Sequence, residues 1–571
     1  MLDRYSIKIG GQSGTGINTV GTILSKALKR SGFYCVSYRE YPSLIKGGFA
    51  SYKIDFSDKE FNSVSKKTNL FVAIDKWSFE HLIEEVDNQD IFIYDKNLIR
   101  VSEEQQKIID EKQVRIFDLP LTLTAKQVGG NTIMKNTVLM GALWNLLALD
   151  SEILNSSIIN VFNKTKEIED ANVACANAGK EMLESDESIL TRFKISEKPK
   201  EKISISGNEA MALGAYAAGV RAYFAYPMTP SSPVLQTISH FASKTGIIVK
   251  QAEDEITAVN MVIGANHAGT RAMCGTSGGG FDLMTEALSL SGITETPLVV
   301  ILAQRPGPAT GAPTWTAQGD LNLAIFAGHG QFLRIVLAPG DNQESFEMIA
   351  EAHNLAEKFQ TPVIIMNDKY LGETLYTTDP FSSESITIDR GEILENPTPE
   401  SMRYQFTESG ISPRWFPGTP GNTFVGNSDE HDEKGHSVED ADKVEAMISK
   451  RIKKESTAHS IIPEPEYFGS ENAETVFIGW GSTKHIMLDA MKENPDKIGF
   501  LYFKYISPLR KEKLIELKDK GKKFVAIENN EKGHFADYIQ MQTGIMIPER
   551  ILKFDGRPFF IEEVVEKISN I

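Results

Sequence analysis

Cysteine is almost absent from this chain: Cys35, Cys175 and Cys274 are the only three in 571 residues, and none stands in a Cys-x-x-Cys pair. That spacing excludes a disulfide framework and a thiolate-held zinc or iron–sulfur centre, so each is expected to be a small buried residue. Basic charge is also short: 60 Lys and Arg stand against 77 Asp and Glu, giving a net charge of -17. No basic stripe offsets it, which argues against nucleic acid as a partner. No apolar run approaches the roughly 18 residues that a membrane helix needs, and residues 1–9 read as a first strand without a basic and apolar leader, so cytoplasmic residence is expected. A sustained internal repeat is missing too. What remains, at 41% hydrophobic and 24% charged residues, is an acidic globular metabolic protein, long enough for three or four domains of roughly 100 to 200 residues each.

The apolar pattern lapses twice. Residues 193–202 are charged and broken by Pro199, which makes them a linker. Residues 386–465 hold Gly410, Pro413, Pro417, Gly418, Pro420, Gly421 and a polar run from Asn427 to Asp440, so they read mostly as loop, with a charged helix over 443–453. Three blocks of alternating strand and helix patterns are left.

The first block opens on a strand, a glycine turn and a helix, with Gly10, Gly11, Ser13, Gly14, Thr15 and Gly16 between Ile9 and the apolar periodicity from Ile17. Glycines allow positive φ and close backbone approach, and a helix start favours anionic oxygen, so a phosphate suits this turn. The spacing matches neither Gly-x-Gly-x-x-Gly nor a Walker loop, and a plain βα turn fits equally well. Arg39 and Lys46 bring cations to a second glycine-bearing loop, where they meet a phosphate or face water.

In the second block the strand 222–225 runs into Tyr226-Pro227-Met228-Thr229-Pro230-Ser231-Ser232-Pro233. Parallel sheets place ligands at the carboxyl ends of their strands. The hydroxyls of Thr229 and Ser231 either cap the following helix or donate to an anion. Another strand, 247–250, leads to Glu253-Asp254-Glu255 at the start of an otherwise apolar helix. One acid there complements the helix dipole; three need a further reason. Arg305 follows the apolar strand 297–303, and its planar fork suits a carboxylate.

Together these residues resemble the alpha subunit of 2-oxoacid:ferredoxin oxidoreductases. The match runs through Tyr226 to Ser232, Gln251 to Glu255, Thr276-Ser277-Gly278-Gly279-Gly280-Phe281, Gln304 to Gly311, Gly410 to Arg414 with Pro417-Gly418, Glu430 to Glu433 with Gly435-His436, and Glu528-Asn529-Asn530. The first block is similar to the gamma subunit of the same enzymes, fused in front. The resemblance implies a multidomain α/β fold: a gamma-type domain over 1–192, the linker 193–202, a thiamine-diphosphate pyrimidine-binding domain over 203–385, an extended connection over 386–465 and a transketolase C-terminal-like domain over 466–571.

It further implies thiamine-dependent oxidative decarboxylation of a 2-oxoacid with coenzyme A, giving acyl-CoA, carbon dioxide and reduced ferredoxin. Glu255 is then the carboxylate that hydrogen-bonds the cofactor's aminopyrimidine and drives its self-deprotonation. It is preferred to Glu253 because its distance to Gly264 and Ala265 matches the family's spacing. Thr229 and Arg305 are expected on the substrate carboxylate, and Tyr226, Pro227, Thr276 and Ser277 on the thiamine side, with Thr276 or Ser277 also able to cap the next helix. Gly11, Ser13, Gly14, Thr15 and Gly16 are candidates for coenzyme A phosphates. No Gly-Asp-Gly and distant Asn-Asn pair is present, so the diphosphate, Mg2+ and [4Fe-4S] sites are expected on a beta subunit within an (αβ)2 assembly. Asn529, Asn530 and His534 are read as architectural, and His431 and His436 as residues of a solvated or subunit-contacting loop rather than metal ligands. The fused gamma-like block is as in the two-subunit members typical of 2-oxoglutarate and broad-range enzymes and modestly favours 2-oxoglutarate, with pyruvate or broad-range specificity as the alternative. A non-catalytic scaffold is the reading of another class, disfavoured by Thr229, Glu255 and Arg305; a nicotinamide dehydrogenase is disfavoured by the broken fingerprint.

Overall fold

In a computed structural model, which describes residues 3–44, 47–494 and 497–570, the chain forms two compact α/β units. The first comprises residues 1–205 with two short returns, 374–380 and 560–563. Its eight-stranded sheet runs Arg115–Leu119, Ile91–Asp95, Leu70–Ala73, Tyr5–Gln12, Phe49–Ser57, Tyr34–Glu40, Leu375–Thr378, Ile203–Ile205. The strand Ile203–Ile205, where the second block begins in sequence, pairs antiparallel with Leu375–Thr378 in this sheet. Helices Ile17–Arg30, Lys135–Leu146 and Lys166–Lys180 cover it over a core that includes Ile23, Leu24, Trp144 and Cys175. All three cysteines are buried and unpaired.

The second unit carries two sheets. The larger runs Tyr505–Ser507, Ile335–Leu337, Pro362–Asp368, Leu298–Gln304, Ala272–Thr276, Ala222–Ala225, Ile248–Gln251, parallel except at its first pair. Leu298–Gln304 is apolar to its last residue and wholly buried, as a central parallel strand covered on both faces must be. The smaller sheet, centred on Thr475–Trp480 and Lys523–Glu528, shares one continuous core with the larger. The connection over 386–465 is mostly irregular, as its glycines and prolines require, and its helix is longer than the charge pattern indicated, Ala441–Ile461. Among the described residues, no helix is long and apolar enough to cross a membrane.

Candidate active site

Four adjacent parallel strands of the larger sheet end in the residues singled out above. Ala222–Ala225 ends at Tyr226, Ile248–Gln251 leads to Glu255, Ala272–Thr276 ends at Thr276, and Leu298–Gln304 precedes Arg305. Parallel topology therefore gathers them at one sheet edge.

The three acids separate cleanly in their surroundings. Glu253 is exposed. Asp254 caps the helix Glu255–His267, accepting the Thr257 N–H at 2.7 Å. Glu255, the first residue of that helix, is only 4% exposed, and its Oε1 has no hydrogen-bond partner among the described residues. Burial raises its pKa, helped by the neighbouring Asp254 charge and opposed by the amide at the helix start. A buried unpaired carboxyl oxygen costs free energy and therefore calls for an explanation.

The first turn of the helix Gly278–Leu283, formed by three glycines, makes room for that carboxyl. A Cβ on Gly280 would lie 2.1 Å from Thr276 Oγ1 and 2.6 Å from Glu255 Oε1, so any other residue here must displace those side chains. The Ser277 hydroxyl is fully buried and also lacks a partner. Ser277 stands at the N-cap of Gly278–Leu283 but makes no capping bond with its side chain. Thr276 Oγ1 instead faces Met228 Sδ at 3.8 Å, which joins this turn to the Tyr226 loop.

Within that loop the Ser231 hydroxyl turns back to donate to Met228 O at 2.7 Å, so the helix Ser232–Thr245 has no side-chain cap. Tyr226 and Pro227 are exposed, and Thr229 is half-buried. Arg305 is half-buried and donates from Nη1 to the carbonyl of Thr229 at 2.6 Å, which leaves the Thr229 hydroxyl out of that bond. Desolvation lowers the Arg305 pKa and the carboxyl of Asp320 raises it. Asp320 was not singled out by sequence. It sits after a long loop, its Oδ2 is buried without a partner, and a Cβ on Gly278 would be 2.8 Å from each of its carboxyl oxygens. The three glycines thus lie between the buried carboxyl of Glu255, at Gly280, and the half-buried Asp320, whose shielded oxygen lies at Gly278.

The loop from Arg305 to Asp320 is pinned to the smaller sheet through Gln318. Its N–H donates to Asn529 O at 2.7 Å, its Oε1 accepts the Asn529 N–H at 2.8 Å, and its Nε2 donates to Trp480 O at 3.0 Å. Asn530 Nδ2 adds a bond to Gln318 O at 3.1 Å. Asn530 also accepts the Gly533 and His534 amides. His431 is wholly buried rather than solvated, its ring nitrogens at 3.0 Å from Asp432 O and 3.2 Å from Ile293 O. His436 is exposed, and no cluster of three metal-ligating residues occurs among the described residues.

In the first unit, Ser13, Gly14 and Gly16 line a hollow of about 350 Å³ together with Asn18, Arg39 and Tyr41. Gly16, at φ 90°, starts the helix Ile17–Arg30 with no acidic residue in its first turn. Gly11 points elsewhere: a Cβ there would meet Ile17 and Ile74 at 2.7 Å. Thr15 donates its hydroxyl to Gln12 O at 2.6 Å and is not part of the lining. Lys46 lies outside the described residues.

Known proteins resemble the whole chain. A family model described as pyruvate flavodoxin/ferredoxin oxidoreductase, thiamine diphosphate-binding, matches residues 213–450, and one described as pyruvate ferredoxin/flavodoxin oxidoreductase matches residues 6–182. The 2-oxoacid:ferredoxin oxidoreductase subunit alpha of a Sulfolobus species is 33% identical, over 100% of this chain and 97% of its own length. The 2-oxoglutarate synthase subunit KorA of Methanothermobacter marburgensis is 29% identical over 65% of this chain and 99% of its own. A solved 2-oxoglutarate:ferredoxin oxidoreductase from Magnetococcus marinus, with 2-oxoglutarate, coenzyme A and succinyl-CoA bound, superposes with a TM-score of 0.90 at 30% identity, covering all of both chains.

Proposed function

The chain belongs to the family of 2-oxoacid:ferredoxin oxidoreductase alpha subunits, and from that premise we propose that it binds the substrate and the pyrimidine half of thiamine diphosphate in a site completed by a beta subunit. The observation that carries this reading is Glu255, a buried carboxyl at the carboxyl edge of a parallel sheet, unpartnered at Oε1 beneath a glycine turn with no room for a Cβ. Burial raises the Glu255 pKa, which favours a carboxyl that shares a proton with an aromatic nitrogen, and its unpartnered Oε1 is the atom free to meet one. The residues present therefore fit the aminopyrimidine: Glu255 and the free Ser277 hydroxyl would hold it, with Tyr226, Pro227 and Thr276 at its margin. Thiamine diphosphate, when bound, supplies the carbanion chemistry that side chains lack.

Arg305 and Thr229 hold the carboxylate of the 2-oxoacid. The Thr229 carbonyl anchors one arm of the guanidinium, so the fork arrives pre-oriented and loses less freedom when it grips substrate. Gln318 and the Asn529-Asn530 pair hold the loop that carries Arg305. The hollow at Ser13, Gly14 and Gly16, with Arg39 on its wall, takes the phosphates of coenzyme A.

The beta subunit brings the diphosphate and Mg2+ site and a [4Fe-4S] cluster, electrons leave to ferredoxin, and the assembly is (αβ)2 in the cytoplasm. The substrate favoured is 2-oxoglutarate, supported by the Magnetococcus marinus enzyme's full-length likeness. The test is viologen reduction by the co-expressed complex with coenzyme A and either 2-oxoglutarate or pyruvate. The expected result is a higher kcat/KM for 2-oxoglutarate and loss of turnover in Glu255→Gln. Full turnover in that variant sinks the assignment of Glu255, and a preference for pyruvate sinks the substrate.

A further inference from the structure

Half-buried Asp320 differs from the ion-paired acids of its unit. Glu357 is held by Arg271, Arg390 and Arg414, and Glu295 by Lys450 and Lys454. Asp320 makes no salt bridge within 4 Å among the described residues, its Oδ2 is sealed from solvent without a partner, and it is pressed onto Gly278, beside the unpartnered Ser277 hydroxyl. Its backbone is fixed, with the N–H donating to Gln304 Oε1 at 3.1 Å, and Gln304 is the residue before Arg305. Two charged groups face it: Arg305 from the loop after Leu298–Gln304, and Asp282, exposed, from Gly278–Leu283.

We propose that Asp320 is a positioning residue for substrate: a resident counter-charge that competes with the incoming 2-oxoacid carboxylate for the field of Arg305. The inference rests on the reading of Arg305 as the substrate grip. A carboxylate that does not pair closely with Arg305 leaves the fork open for substrate yet lowers the positive potential there. When substrate binds, two negative groups share one half-buried guanidinium, and their repulsion is felt in binding rather than in turnover. Protonating Asp320 removes that repulsion. Burial pushes its pKa up to about 6, with the charge of Asp282 adding to the effect and Arg305 opposing it. The balance therefore changes over a range in which an ordinary aspartate stays ionised.

The experiment measures kcat and KM for the 2-oxoacid with the co-expressed complex between about pH 5.5 and about pH 8, for wild type and Asp320→Asn. Wild-type KM is expected to rise as pH climbs through about 6. The variant should keep wild-type kcat and show a flat KM profile, with KM at about pH 8 lowered roughly three- to tenfold, the scale of one partly screened charge at short range. A wild-type KM without the step, a step that persists in Asp320→Asn, or a KM raised in that variant each overturns the proposal; the wild-type profile alone decides if the variant does not fold. Arg305→Lys separates the premise from the inference. If it leaves KM unchanged, the grip reading fails; if it raises KM while the Asp320 results are negative, only the counter-charge fails.

Discussion

The second unit buries its carboxylates in two opposite ways. Glu295 lies between Lys450 at 2.5 Å and Lys454 at 2.6 Å, and Glu357 takes Arg271 at 2.6 Å, Arg390 at 2.7 Å and Arg414 at 3.1 Å. These networks tie the connection 386–465 and the helix Ala441–Ile461 to the sheet. Glu255 is buried and Asp320 half-buried, and each keeps a solvent-shielded carboxyl oxygen with no hydrogen-bond or salt-bridge partner among the described residues. A protein retains an unsatisfied buried carboxyl only where folding stability is not what that group serves. The paired acids hold the fold, and the unpaired ones are the acids whose burial fold stability does not explain.

The sharpest test of that contrast is Glu255→Ala in the assembled complex. Turnover should fall by about a hundred- to ten-thousandfold, the usual scale for a lost proton-handling group, while the melting temperature stays the same or rises because an unsatisfied group has been removed. A melting temperature that falls as far as turnover would place Glu255 with the structural acids. Next in size is Glu295→Ala, which leaves Lys450 and Lys454 buried and uncompensated. A loss of about 3–5 kcal/mol in denaturant unfolding is expected. The two ammonium groups hold the Glu295 pKa well below the ordinary carboxylate range. Its stabilisation is therefore complete above that range and is lost as pH falls through and below it.

A smaller effect is expected at the glycine turn. Gly280→Ala puts a methyl group 2.1 Å from Thr276 Oγ1 and 2.6 Å from Glu255 Oε1, and those atoms must move. Since misplacement on the ångström scale costs up to about a hundredfold in rate, kcat should fall by about ten- to a hundredfold with the fold retained. The measurement is kcat beside a thermal melt. Wild-type kcat would show that the turn does not set the position of Glu255.

How legible this was in the sequence follows the same division. The strand ends at Tyr226, Thr276 and Arg305 were readable because parallel α/β periodicity fixes where strands stop, and ligand sites lie at those stops. Glu255 was preferred among three acids through the family's spacing to Gly264 and Ala265; physically, burial separates it from Glu253, and its unpartnered Oε1 from the helix-capping Asp254. Asp320 was not found, because its burial depends on the missing Cβ of Gly278, far earlier in the chain, which no local pattern reports. Of the residues weighed as alternative helix caps, Ser231 turns its hydroxyl to the carbonyl of Met228 and Ser277 keeps its own unpartnered, so neither caps with its side chain. In the connection, glycine, proline and polar residues read as mostly loop with a charged helix over 443–453, and His431 as solvated or subunit-contacting, yet Arg403, Arg414, His431, Lys450 and Lys454 are all buried. Composition counts charges without showing that each has a partner waiting inside.

The smallest effect concerns Asp320 and needs no partner subunit, since it is read in stability alone. Its pKa in the folded chain is about 6, against an ordinary aspartate value near 4 when unfolded. Between those values the folded chain holds the proton more tightly, so stability is greatest below the unfolded value and falls as pH climbs through about 6. The Asn variant has no such proton to lose. The difference in unfolding free energy between wild type and Asp320→Asn should therefore shift by about 2 kcal/mol against wild type from about pH 4 to about pH 7, with opposite sign to the effect of Glu295 at low pH. Denaturant melts of both proteins at several pH values measure it. A difference that stays constant with pH would mean that Asp320 is solvated or paired in solution, and the contrast between paired and unpaired carboxylates would then rest on Glu255 alone.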